Sequence, residues 1–140
     1  MNPSQRMLPT PSPETQRYWD GCKQHELWLP YCLTCQASFF YPRPFCPRCF
    51  GWEIEWRQAS GRGTLYTYAI QCRPQAPGFE PPYVTAIVQL DEGPRMLTNL
   101  VDVEPDPAVI QCDMPVEVTF QEISDEINLP VFRPASGGAK

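Results

Sequence analysis

Residues 32–49 read CLTCQASFFYPRPFCPRC. Two C-x2-C pairs, Cys32-Leu33-Thr34-Cys35 and Cys46-Pro47-Arg48-Cys49, are separated by ten residues. A two-residue spacing lets a tight hairpin present both sulfurs from one side, and two such hairpins complete a tetrahedron around a divalent ion. The pairs also form an internal duplication: Pro30-Tyr31 precedes the first and Pro44-Phe45 the second, fourteen residues further on. Two similar knuckles about an approximate two-fold axis are the expected product. Cys32, Cys35, Cys46 and Cys49 are therefore the candidate ligands of a structural metal.

Four thiolates fill a tetrahedral sphere and leave no position for water, so a hydrolytic zinc is not expected. Structural Zn²⁺ is the first reading. Iron on the same ligands, as in a rubredoxin-like electron carrier, is the alternative, although ten residues is a short interval for the hydrophobic shell such a carrier needs. Arg43 and Arg48 flank the cluster and either offset its negative charge or face an anionic ligand. Seven cysteines cannot all pair, and Met1–Ser12 shows no apolar signal segment. The expectation is a cytoplasmic chain with reduced thiols and no membrane span.

Outward from the cluster the periodicity changes twice. On the N-terminal side, Ser12, Pro13 and Glu14 are helix-start residues, and a helix is expected over Pro13–Gln24 with Tyr18, Trp19 and Cys22 on one side. Those rings either pack on the rest of the chain or dock a partner. Leu27, Leu29 and Tyr31 then alternate with Trp28 and Pro30, as a strand entering the cluster does. On the C-terminal side the sequence predicts strands at Glu53–Ser60, Thr64–Cys72, Tyr83–Leu90, Arg95–Val101, Pro115–Ile123 and Ile127–Phe132. Gly61-Arg62-Gly63 is expected to turn or bend the chain, Asp91–Pro94 is expected as a turn, and Arg73–Pro82 as a long loop. The fold class is mainly β: an N-terminal helix, a four-cysteine ribbon and a five-stranded OB-type barrel, with a small open sandwich as the alternative. The domain reading is 1–25 arm and helix, 26–56 ribbon, 57–134 OB-fold and 135–140 flexible tail.

The chain has 140 residues, 18 of them proline, with 42% hydrophobic residues. That is enough apolar material for a core, and proline at about two and a half times its usual share argues for short elements and turns. The net charge of −5 is uneven: residues 1–60 carry six basic and five acidic side chains, residues 61–140 five and eleven. The acidic half is a poor match for a phosphate backbone, which weighs against a single-stranded nucleic-acid-binding barrel. His25 is the only histidine, so Cys22, Cys72 and Cys112 have no evident base to activate them. No G-x-S-x-G and no Gly-rich phosphate loop occurs, and no active site assembles from the sequence.

Further motifs follow in order: Tyr41-Pro42-Arg43-Pro44-Phe45-Cys46-Pro47, Ser60-Gly61-Arg62-Gly63-Thr64-Leu65-Tyr66, Pro81-Pro82-Tyr83-Val84, Leu90-Asp91-Glu92-Gly93-Pro94-Arg95, Thr98-Asn99-Leu100 and Leu129-Pro130-Val131-Phe132-Arg133-Pro134. Over residues 12–134 the chain resembles the acyl-CoA-associated OB-fold family with an N-terminal rubredoxin-like zinc ribbon, domain of unknown function 35. The resemblance implies a non-catalytic accessory subunit, in a hetero-oligomer with a thiolase, acyltransferase or steroid side-chain aldolase, that helps bind acyl-CoA. It assigns the metal ligands to Cys32, Cys35, Cys46 and Cys49. It departs at Gln36 and Phe50, where the family often has glycine for a positive φ.

Within that reading, Trp28, Phe39, Phe40, Tyr41 and Phe45 crowd a ribbon too small to bury them all, and with Tyr18 and Trp19 they are the candidate partner interface. Packing of these rings on the ribbon itself is the rival account. Arg43, Arg48, Arg62 and Arg73 are the candidate anchors for the phosphates of acyl-CoA. A stand-alone acyl-CoA enzyme is the remaining alternative.

Overall fold

The computed structural model describes residues 7–74 and 77–135. Helix α1 (Gln16–Lys23) leads into an antiparallel sheet of β1 (Trp28–Cys32), β2 (Ala37–Ser38) and β3 (Ile54–Gln58), ordered β2-β1-β3. Strands β4 (Arg62–Gln71), β5 (Tyr83–Leu90), β6 (Arg95–Leu100), β7 (Pro115–Glu122) and β8 (Asn128–Pro134) close into a barrel in the order β4-β5-β6-β8-β7. Strand β7 returns to β4 through Arg62↔Glu117 and Gly63↔Val116, so the sheet is a closed barrel and not a sandwich.

The helix is shorter than its sequence signals imply. Thr15 N–H donates to the Ser12 carbonyl at 3.0 Å, and Thr15 Oγ1 accepts from Ser12 N–H at 2.9 Å. Ser12 is therefore occupied in closing a turn over Pro13 and Glu14, and α1 starts at Gln16. At the other end His25 takes φ 61°. Its N–H reaches the Cys22 carbonyl at 3.0 Å and Glu26 N–H the Gly21 carbonyl at 2.8 Å. This pair of reversed bonds is a Schellman cap, with histidine in the place usually given to glycine.

Strand β5 buries Val84, Ala86, Val88 and Leu90 while its alternate residues Thr85, Ile87 and Gln89 are only partly buried, the period-two pattern of a barrel wall. The bend expected at Gly61-Arg62-Gly63 is present, as a sharp entry into β4. Gly61 sits at φ 79° with Val118 Cγ1 only 2.5 Å from where a Cβ would stand, and a methyl on Gly63 would overlap the Gln89 carbonyl. Ala135, expected in the tail, is buried and donates its N–H to the Pro115 carbonyl at 3.0 Å. The rest of that expected tail, and residues 1–6 of the arm, lie outside the described residues.

One apolar cluster joins Tyr18 and Cys22 of α1 and Leu27 and Leu29 beside the ribbon to Leu65, Val88, Met96 and Phe132 of the barrel. Ala59 N–H donates to the Leu27 carbonyl at 2.7 Å, and Asn128 Nδ2, from β8, to the Cys22 carbonyl at 3.1 Å. Ribbon and barrel therefore share a core. The barrel is thinnest between β6 and β8, which run parallel and register only at Leu100↔Phe132. Pro130 has no N–H to donate there, and Thr98 Oγ1 bridges to its carbonyl at 3.1 Å. Among the described residues no helix is long and apolar enough to cross a membrane.

Candidate metal centre and adjoining surfaces

The two knuckles have the same backbone plan. Gln36 N–H donates to the Cys32 carbonyl and Phe50 N–H to the Cys46 carbonyl, both at 2.8 Å. The residue after each second cysteine is left-handed, Gln36 at φ 55° and Phe50 at φ 62°. The expected two-fold repeat is present, and the knuckles form without glycine at these places.

The four Sγ atoms lie within 4.8 Å of one another. Cys32 and Cys49 sulfurs are 3.7 Å apart and those of Cys35 and Cys46 3.9 Å. A zinc tetrahedron with Zn–S bonds of about 2.3 Å has S···S edges of about 3.8 Å, so the donor set fits zinc. Backbone N–H groups also point at the sulfurs: Cys35 to Cys32 at 3.3 Å, Arg48 to Cys46 at 3.3 Å and Gly51 to Cys49 at 3.4 Å. Such donors stabilise negative charge on sulfur. The Cys46 thiol is lowered to about 6, with backbone N–H groups of Cys49 and then Arg48 as its main stabilisers. Cys35 is pushed up to about 12, chiefly by its hydrogen bond with Cys49. Phe39, buried with Cys32 and Cys46, closes the apolar side of the site.

The remaining candidates are dispersed. Arg43 is exposed and lines a cleft of about 390 Å³ with Glu14, Trp52 and Trp56. Arg48 is exposed on the second knuckle. Arg62 opens β4 and Arg73 lies two residues beyond its end. A ten-residue strand separates them by roughly 30 Å, so no single phosphate touches both. Of the aromatic candidates, Tyr18 and Phe39 are buried. Trp19 is half-buried and packs edge-on to Tyr18. Phe40 lies between Tyr18 and Tyr41, with ring centroids at 5.4 and 4.3 Å. Trp28 donates its indole N–H to Glu26 at 2.8 Å under the Arg17 guanidinium. Phe45 packs on Phe50 and Trp52. The most exposed rings are Tyr41 at 52%, Phe50 at 67% and Trp52 at 72%. Neither Phe50, marked in the sequence only as standing where the family often has glycine, nor Trp52 is among the interface residues expected from the sequence; their position just past the second knuckle is the one signal for them.

Four convergent thiols on twin knuckles, packed against a closed five-stranded barrel, define a zinc-ribbon OB-fold protein. Residues 19–55 match the family described as ChsH2, rubredoxin-like zinc ribbon domain, and residues 56–121 match ChsH2, C-terminal OB-fold domain. The chain belongs to the DUF35 family. It is 43% identical over 114 residues to a DUF35 domain-containing scaffold protein of Pyrococcus furiosus, covering 80% of this chain and 82% of that one. It is 40% identical over 118 residues to a probable enoyl-CoA hydratase alpha subunit of Thermomonospora curvata, covering 84% of this chain. A 34% match covers 89% of this chain in the 3-oxo-4,17-pregnadiene-20-carboxyl-CoA hydratase alpha subunit of Mycobacterium tuberculosis. The chain spans only 36% and 39% of the lengths of those two hydratase subunits. Among solved structures, a chain of the Ltp2-ChsH2(DUF35) aldolase superposes with a TM-score of 0.81 at 37% identity, covering 91% of this chain and 98% of that one.

Proposed function

We propose that this protein is a non-catalytic accessory subunit that docks on a thiolase-fold or aldolase catalytic subunit and helps hold its acyl-CoA substrate. The observation that carries the reading is the likeness, over 98% of its length, to a chain of the Ltp2-ChsH2(DUF35) aldolase. The hydratase names of two relatives favour acyl-CoA as the substrate class and make a hydratase the second candidate partner. The four cysteines hold Zn²⁺ as a rigid brace for the ribbon, with all four positions of the metal used for structure. Phe45, Phe50, Trp52 and Tyr41 are the docking anchors, and Trp and Tyr are favoured in that role. Arg43, beside Trp52 and Trp56, is the first candidate anchor for a phosphate of acyl-CoA, with Arg48 second.

Co-expression with thiolase-fold and hydratase subunits from the same genome, followed by size-exclusion chromatography, tests the reading. A stable complex with a thiolase-fold or aldolase subunit is expected. A complex with the hydratase alone replaces the partner, and a chain that remains monomeric with every candidate refutes the proposal. Calorimetric titration of the complex with acyl-CoA is expected to show weaker binding for Arg43→Ala, and unchanged affinity removes Arg43 from the site.

A further inference from the structure

Each barrel strand has a neighbour on both sides, so the free edges among the described residues belong to the ribbon sheet, on β2 and β3. Strand β2 has two residues and β3 has five. No proline, lysine or bulge blunts β3, although such devices commonly keep an edge from pairing. The hydrogen-bond alternation fixes which of its backbone groups are open. Leu33 N–H donates to the Glu53 carbonyl at 3.0 Å, and Ala59 N–H to the Leu27 carbonyl at 2.7 Å. The register between these bonds is unbroken. Glu55 and Arg57 therefore turn their N–H and C=O groups toward β1, while Ile54, Trp56 and Gln58 turn theirs away from it. Pro30 stands opposite Trp56, where no N–H is needed, and its carbonyl accepts from Phe39 N–H on the far side at 3.0 Å. Ile54 N–H already donates to the Trp52 carbonyl at 3.0 Å.

Side-chain charge decides which strand complements this edge. Glu55 and Arg57 share one face, where Arg57 donates to Glu55 and its guanidinium lies 3.5 Å over the Tyr31 ring. Their side chains are 43% and 49% exposed. Trp56 lies on the other face, in the cleft it shares with Arg43 and Trp52. A second β3 laid antiparallel along the edge can pair its own outward groups with these in a few registers. Centred on Glu55 or on Arg57, the pairing sets like charges against each other at the axis. Centred on Trp56, it sets Glu55 of each strand opposite Arg57 of the other, in non-hydrogen-bonded pairs whose Cα atoms approach to about 4.5 Å. Under two-fold symmetry the charges of β3 are thus self-complementary about Trp56.

We propose that β3 pairs with β3 of a second copy of this chain about a two-fold axis at Trp56, joining the two three-stranded ribbon sheets edge to edge. The two Trp56 residues exchange N–H···O=C bonds, and each Gln58 N–H donates to the Ile54 carbonyl of the second copy. Five residues bury less surface than a permanent dimer needs, so the association is reversible and grows with concentration. It uses a backbone edge and two exposed charges, and it stands whether or not a catalytic subunit docks.

The test is sedimentation equilibrium of the zinc-loaded full chain, without any other subunit, over a wide range of concentration. A reversible monomer–dimer equilibrium is expected. Glu55→Arg and Arg57→Glu each set like charges across the axis, and each is expected to weaken dimerisation about 10-fold. The double variant carrying both exchanges the two charges and is expected to return to within about threefold of the original affinity. Gln58→Pro removes an N–H that points away from β1, at an exposed residue. It is expected to weaken dimerisation while the zinc content and the Tm of the monomer stay close to those of the original chain. A monomer at every concentration, a dimer indifferent to both charge reversals, one not recovered in the double variant, or one lost in Trp52→Ala but kept in Gln58→Pro overturns the proposal.

Discussion

The knuckle residues Gln36 and Phe50 hold left-handed backbone that costs a side-chain-bearing residue roughly 1–2 kcal/mol. Phe50→Gly removes that cost together with an exposed ring. It is therefore expected to raise the Tm of the chain while lowering partner affinity, a combination that separates docking from folding and is read by melting curves beside a binding assay. Cys22 has no solvent exposure, and burial pushes its thiol up to about 12 from an ordinary 9.0. Because the folded thiol holds its proton more tightly than the unfolded one, its contribution is full below about pH 9 and is lost as pH rises toward 12. Cys22→Ala is expected to flatten the alkaline limb of the stability profile, measured by urea melts across pH 8–11. In the native zinc form a thiol reagent is expected to label the exposed Cys72 and Cys112, with Cys22 reacting only on unfolding.

At the scale of elements, the polar part of the coupling between α1 and the barrel comes from a side chain at the opposite end of the chain. Asn128 of β8 is 3% exposed and donates to the Cys22 and Lys23 carbonyls at 3.1 and 3.4 Å, near the negative end of the helix. Asn128→Ala leaves buried carbonyls less satisfied and is expected to cost about 1–3 kcal/mol. Asn128→Asp, which sets a carboxylate against those oxygens, is expected to cost more. Denaturant midpoints order the two variants, and equal midpoints contradict this account. The ribbon was legible in the sequence because a C-x2-C knuckle is local: four residues and one reversal define it. The helix start was not, because Ser12 had two turns to choose between and the one over Pro13-Glu14 won. Strand β2, of two residues, is too short to leave a period.

For the whole molecule the shared core decides how it unfolds. Tyr18, Cys22, Leu27 and Leu29 belong to the same cluster as the barrel residues, so the zinc form is expected to melt in a single calorimetric transition. Chelation or Cys46→Ser is expected to lower the Tm of the entire chain. Two separate transitions, with the barrel's unchanged, argue instead for independent units. The aromatic crowding of the ribbon was visible in composition, but which rings face water was not. Phe39 turns in to the sulfurs while Phe50 and Trp52 turn out. By itself the sequence determined the paired-cysteine set, the alternation of the barrel strands and the family resemblance, since each is written in spacings of a few residues. Barrel closure through β4 and β7, the unzipped seam between β6 and β8, and the open edge of β3 were decided only in three dimensions. They depend on which distant strands become neighbours, and short-range periodicity carries no record of that choice.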